Sequence, residues 1–397
     1  MKEGWTYRQL KDVTNKISDG SHNPPKGIAY SDYPMLSSKN ILFDDFNYDS
    51  PRYLSKEDFD IENKRTDISD GDVLLTIVGT VGRTCCVQNP FIPFTLQRSV
   101  AVLKPKKEIL ISRFLMYALY SLSDLWENEA KGAAQKGVYL KQLAAVSIPT
   151  PPLPEQERIV ERLDAAFAQI DELKSNAERQ LAEARALFQS TLTQAMQPKP
   201  GWQEKRMKEI ADVKGGKRVP KGYKLQSTKT NHPYIRVADF NNYGTIEMSD
   251  IQYISNDIFE QIKNYTITDK DLYVSIAGTI GKTGIIPSEL NGANLTENAC
   301  KLVFKEDINL RFVYLFTLSE IFKKQVEKAT KQASQPKLAL TRLAEVKISI
   351  PSITEQQIIV EHLDALSNHV KELEEISRKT AAECDALKQA LLRQIFE

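Results

Sequence analysis

The chain has 397 residues, 41% of them apolar, and a formal net charge of +1, which leaves room for two or more domains with real cores and supports globular folding. No run of 18 apolar residues exists and residues 1–10 (MKEGWTYRQL) lack the apolar core of a signal peptide, so the expectation is a soluble cytoplasmic protein with no membrane partner. Cys85, Cys86, Cys300 and Cys384 fit reduced, buried thiols; Cys85 and Cys86 are adjacent and no second pair or nearby histidine completes a zinc knuckle, so neither metal nor cofactor is expected.

In chain order, residues 72–87 (DVLLTIVGTVGRTCCV) form a β-rich run broken at glycines, and residues 113–126 have the apolar spacing of a helix. A strand at 145–148 ends at a proline and leads into a long helix over 153–197. The series then repeats: a β-rich run at 271–286 (DLYVSIAGTIGKTGII), helical spacing over 311–328, a strand at 346–350, and a second long helix over 353–397. The expected domains are two lobes, 1–152 and 198–352, each followed by its helix.

The repetition extends to individual residues. Residues 146–173 (VSIPTPPLPEQERIVERLDAAFAQIDEL) align with 346–373 (VKISIPSITEQQIIVEHLDALSNHVKEL), matching Glu155 with Glu355, Gln156 with Gln356, Val160 with Val360, Leu163 with Leu363 and Asp164 with Asp364. GTVGRT, starting at Gly79, answers GTIGKT, starting at Gly278, and Gly4–Trp5 answers Gly201–Trp202. A two-fold repeat of this period is too long for a solenoid and too few in copies for a propeller. The fold class expected is α+β: two similar mixed lobes in tandem, each with a long helix.

Both helices open on an acidic turn, with Pro154 or Thr354 ahead of Glu155 or Glu355, where carboxylates meet the positive end of the helix dipole. Ile159, Leu163, Ala166, Ile170, Leu173, Ala177, Ala184 and Leu187 follow 4-3 spacing in the first, interrupted by Gln180. Ile359, Leu363, Leu366, Val370, Leu373, Cys384, Leu387 and Leu391 do so in the second, interrupted by Ser377 and Thr380. Each helix spans about 65 Å at 1.5 Å per residue. Such stripes predict that the two pair with each other as an antiparallel coiled coil. Val160, Phe167, Phe188, Leu192, Ile358, Ile376, Ile395 and Phe396 lie off the seam and remain for docking on the lobes or on partner subunits.

Charge is unevenly shared. The helices are acidic, with five Lys/Arg against eight Asp/Glu in 154–197 and five against nine in 353–397. The first lobe carries 19 against 18 and the second 24 against 17, so polyanion binding is expected of the lobes, chiefly the second with Lys214, Lys217, Arg218 and Lys221. Catalytic motifs fail on inspection. GTIGKT lacks the first glycine of a phosphate-binding loop, since Ile276 occupies its place. Asn23, Pro24, Pro25 and Lys26 imitate the Asn-Pro-Pro-aromatic motif of amino-methyltransferases, but Lys26 stands where the stacking aromatic belongs and no glycine turn for a methyl donor is present. His22, His232, His362 and His369 form no evident ligand set. A non-enzyme is expected.

The PLPEQERIVERLDA and ITEQQIIVEHLDA segments, the GTVG and GTIG turns and the lobe-helix-lobe-helix order together resemble the specificity subunit of type I DNA restriction-modification systems, over the full chain. The lead before the first lobe is shorter than in many members. The resemblance implies two target recognition domains that each read half of a gapped DNA sequence. It also implies helices that dock two methyltransferase subunits, restriction subunits as further partners, and no active site. The alternatives are a coiled-coil scaffold with two protein-binding lobes, which salt-independent protein capture would favour, and a stand-alone methyltransferase, which lacks its donor site.

Two half-sites require polar loops that differ on a repeated frame, because base edges are read by Arg, Lys, Asn, Gln, Asp or Glu and phosphates by cations and amides. Residues 95–99 (TLQRS) oppose 294–298 (NLTEN), 19–26 (DGSHNPPK) lie near 214–221 (KGGKRVPK), and 37–40 oppose 236–239. The DNA-binding candidates are accordingly Ser21, His22, Asn23, Lys39, Arg83, Gln97, Arg98, Gln135 and Lys136 in the first lobe. In the second they are Lys217, Arg218, Lys221, Arg236, Lys282, Thr296, Glu297, Asn298, Gln335 and Lys337. Arg83 and Lys282 sit at matching GTxG turns, where phosphate contact is the expectation. The helix candidates for the coiled coil and subunit docking are Ile159, Leu163, Ile170, Leu173, Ile359, Leu363, Val370 and Leu373.

Overall fold

A computed structural model of the chain describes residues 4–131, 137–305, 308–330 and 336–396. It divides into two compact units, Met1–Ala177 with Arg378–Glu397, and Glu178–Ser377, so each unit holds one lobe and a stretch of both long helices.

In the first unit Thr6–Gln9 pairs antiparallel with Ser147–Thr150, closing the lobe where the chain leaves it. Next to this pair stands an antiparallel sheet in the order Thr14–Asp19, Val100–Pro105, Val73–Thr76, Thr84–Cys86. Its central strands read as unbroken apolar runs because both faces are covered. Alternate side chains leave opposite faces of a strand. Val73 and Leu75 therefore pack with Phe114 and Leu115 of the helix Ser112–Ser121. Leu74 packs the other way, with Leu36, Phe94 and Leu96 around a small sheet of Arg52–Tyr53, Pro34–Leu36 and Thr95–Leu96.

The second unit repeats the plan. Gln203–Arg206 pairs with Lys347–Ile350, and the main sheet runs Ala211–Gly215, Ala299–Phe304, Leu272–Ser275, Thr283–Gly284. Leu272 and Val274 face Phe312 and Val313, whereas Tyr273 faces Ile235, Phe240 and Leu295. The glycine-broken runs of the sequence are thus two hairpins, each turning through GTxG with positive φ at Gly79, Gly82, Gly278 and Gly281. Cys85, Cys86, Cys300 and Cys384 are free and buried.

The long helices are Leu153–Ala195 and Ile353–Phe396. They pair antiparallel. In the first unit Lys388 Nζ meets Asp171 at 2.5 Å and Lys174 Nζ meets Asp385 at 3.4 Å; in the second, Arg185 meets Glu374 at 2.6 Å. Ile159, Leu163, Ile170, Ile359 and Leu363 are buried, and Val370 and Leu373 are half-buried.

The seam nevertheless departs from the expected frame. Leu173 and Leu187 are 58% and 59% exposed, while Phe167, Lys174, Leu181 and Phe188, one residue along from the expected positions, turn inward. In the second helix the frame holds to Cys384 and then shifts, leaving Leu387 exposed and Lys388 buried. A straight helix turns 3.6 residues per revolution, so a 3.5-residue pattern drifts by about 20° per heptad and the buried stripe moves to the neighbouring position. Phe167, Leu192 and Phe396, expected off the seam, are buried in the lobe cores: Phe396 and Leu392 with Phe114, and Leu192 and Met196 with Phe312. Each such side chain contributes about 1.5–3 kcal/mol of burial.

Matching polar contacts fix each lobe on its helix. The fully buried Gln156 accepts a hydrogen bond from Ile111 N and donates to Ile109 O and Pro151 O. Gln356 likewise accepts from Asn309 N and donates to Pro351 O. Arg113 Nε binds both oxygens of Asp164 and its terminal nitrogens bind Asp44, while Arg311 grips Asp364. Burial opposes the Arg113 charge, but the two carboxylates outweigh it and raise its pKa. Burial wins at Asp44, whose carboxyl sits above its usual value despite the guanidinium.

Candidate nucleic-acid interface

The loop after the first strand of each main sheet meets the loop after the small-sheet strand, because one glycine lets their backbones touch. Gly20 lies against Leu96 O and Gly216 against Thr296 O and Leu295 O, where any Cβ would collide with the carbonyl. In the first lobe Ser21 N donates to Leu96 O and Arg98 N to Ser21 O, so Ser21, His22, Gln97 and Arg98 share one edge. In the second, Lys217 N donates to Leu295 O, which brings Lys217 and Arg218 beside Thr296 and Glu297. Four sequence candidates from two distant segments therefore converge in each lobe.

What they present differs. In the first lobe His22 and Arg98 line a hollow of about 450 Å³ together with Asp19, Arg65, Val78 and Tyr139. Asp19 and Arg65 are not among the sequence candidates: Arg65 lies at the end of the helix Lys56–Thr66 of 11 residues, whose counterpart Asn256–Ile262 has seven. In the second lobe Arg218 Nε binds Glu297 at 2.6 Å, the Thr296 hydroxyl donates to the same carboxylate, and Lys217 Nζ lies over the Tyr265 ring. Burial works against the Glu297 charge, but Arg218 and Thr296 hold the carboxyl below its ordinary value. Lys221 is exposed on the loop beyond, as Asn23 is in the first lobe.

Other candidates are engaged in the framework. Arg83 donates to Ile41 O, and Lys282 Nζ to Phe240 O, so both turn cations tie the GTxG turn to the same neighbouring loop. Each turn closes on itself, with Arg83 N bound to Thr76 Oγ1 and Lys282 N to Ser275 Oγ. These bonds give the repeated motif a role in the framework of both lobes. Arg236 is locked to Asp239 and Asp250, and Lys39 donates to Ser50 O. The stretches 37–40 and 236–239 are equivalent 3-10 turns, with Asn40 and Asp239 buried at their ends. Asn298 receives the amides of Ile276 and Ala277 at its carbonyl, and Lys337 bridges Ala277. Gln135, Lys136 and Gln335 lie outside the described residues.

Asn23, Pro24, Pro25 and Lys26 form a loop whose Pro24 and Pro25 carbonyls are clasped by Arg52, in keeping with a structural turn. Among the described residues no group of three His, Cys, Asp or Glu is placed to hold a metal ion, and no helix is long and apolar enough to cross a membrane.

Two lobes of one plan with unlike polar edges on paired helices define a protein built for recognition at two places. Comparison with known proteins gives the class a family. Residues 2–183 and 199–383 both match the type I restriction modification DNA specificity domain, and the chain belongs to that family. It is similar to the MjaVIII specificity subunit of Methanocaldococcus jannaschii, 23% identical over 85% of this chain and 80% of that one. It is also similar to the EcoKI specificity subunit of Escherichia coli K12, 21% identical over all of this chain and 89% of that one. A chain from a solved type I R-M system shares the fold with a TM-score of 0.75 at 19% identity, covering 99% of this chain and 98% of its own. The protein is a type I specificity subunit with two DNA specificity domains for target recognition.

Proposed function

We propose that residues 1–152 and 198–352 are target recognition domains, each reading one half of a two-part DNA sequence, and that residues 153–197 and 353–397 carry the partner subunits. The observation that supports this reading is the pair of equivalent edges, Ser21, His22, Gln97 and Arg98 against Lys217, Arg218, Thr296 and Glu297, on one repeated frame. A shared frame with unlike donors and acceptors is what two different half-sites demand, since each base pair shows its own pattern in the major groove.

The partners are double-stranded DNA, two methyltransferase subunits and restriction subunits. Leu173, Leu187, Ile358, Ile376 and Leu387, all about half exposed or more, supply apolar contacts on the helices for subunit docking. The chain performs no chemistry itself, takes no cofactor and works in the cytoplasm. Methylome sequencing with and without this gene tests the reading. Loss of one set of gapped, asymmetric sites on deletion is expected; an unchanged methylome, or loss of a continuous palindrome, contradicts it. DNA association that weakens steeply with salt separates this function from a protein-binding scaffold.

A further inference from the structure

The buried carboxylate of Asp19 has no counterpart in the second lobe, where Gly215 ends the equivalent strand. Its side chain is 7% exposed, yet it lies at the recognition edge rather than in the apolar core. One oxygen binds Arg65 Nη2 and the other lies 2.7 Å from His22 Nε2, while its backbone carbonyl accepts Arg65 Nε at 2.9 Å. Arg65 is thus held along its Nε–Nη2 edge by side chain and backbone of a single residue. Half of the Arg65 side chain stays exposed, in the hollow that it shares with His22 and Arg98.

A guanidinium has two edges able to make paired hydrogen bonds. With the Nε–Nη2 edge occupied, the Nη1–Nη2 end remains directed by the first, and a fork held in this way matches O6 and N7 of guanine. Buried charges need partners, and spending a nearly buried carboxylate on a half-exposed arginine is costly unless the orientation of that arginine matters.

We propose that Arg65 is a specificity-determining residue that reads a guanine in the half-site of the first lobe, and that Asp19 is the positioning residue that orients it. This rests on the two-domain reading above. The guanidinium acts at a base edge, Asp19 touches no DNA, and His22 packs against the other oxygen of the carboxylate to complete the clamp.

The test uses the full chain in complex with its methyltransferase, comparing wild type, Arg65→Ala, Arg65→Lys and Asp19→Asn by sequencing of methylated sites and by binding to duplexes substituted at each position. Arg65→Ala should lower discrimination at one G·C pair of one half-site by about 10–100-fold and leave the other half-site unchanged. Arg65→Lys, which lacks the fork, should restore little of it. Asp19→Asn should relax the same pair and no other, an outcome that general unfolding of the lobe cannot produce. A uniform loss of affinity on all sequences would make Arg65 a phosphate contact and overturn the assignment, as would unchanged discrimination. Either result leaves two-part recognition by the wild type intact. A change in both half-sites would instead overturn the two-domain reading itself.

Discussion

Glu297 shows how a single side chain differs between the lobes. It occupies the position of Arg98 and is bound by Arg218 and Thr296, so the second lobe offers an acceptor where the first offers a donor. Arg218 is thus paired within its lobe, and Lys217 lies over the Tyr265 ring. Because the carboxyl of Glu297 is held below its ordinary value of 4.5, its stabilising contribution is present above that value and fades as pH falls through the depressed one. Glu297→Gln should therefore lower the unfolding free energy modestly at neutral pH and flatten its acid limb, with variant and wild type converging at low pH. An acid limb identical to wild type would show that the pair contributes nothing to folding. Neighbouring residues explain the repeated Glu-Gln of the helix starts: Gln156 and Gln356 fasten lobe to helix, whereas Glu155 stays near the surface and pairs with Arg158.

At the scale of elements, the long helices and the glycine-broken hairpins are legible in the sequence because periodicity and turn chemistry are local. The seam frame is not. Whether Leu173 or Lys174 faces the partner depends on accumulated helical drift and on the lobe that covers the first turns, which no window of sequence contains. The same limit applied to Arg65, which reaches the recognition edge only because its helix packs beside Asp19, 46 residues away in sequence. Arg83 and Lys282 were legible as a matched pair, but their carbonyl partners on a third loop were not. The corrected seam makes a contrast. Leu163→Asp or Leu363→Asp places an unpaired charge at a position no more than 1% exposed and should cost several kcal/mol, read by chemical denaturation. Leu173→Asp and Leu187→Asp, at exposed positions, should change stability by less than about 0.5 kcal/mol. Equal losses at all four positions would return the seam to the 4-3 frame of the sequence.

The molecule as a whole is a duplication whose halves kept their framework and diverged at their edges. Closing strands, sheet order, the lobe-to-helix glutamines and the arginine grips on Asp164 and Asp364 recur in both units. Asp19, Arg65 and Arg98 belong to one lobe alone, and Glu297 and Tyr265 to the other. The proposed two-domain reading requires each lobe to carry its own specificity and to be exchangeable at the strand before the helix. The most direct test replaces residues 1–149 with the first lobe of a relative and sequences the methylated sites directed by the hybrid. One half of the target should change to that of the donor while the other half stays as in the parent; if both halves change together, or neither does, recognition is not divided between the lobes.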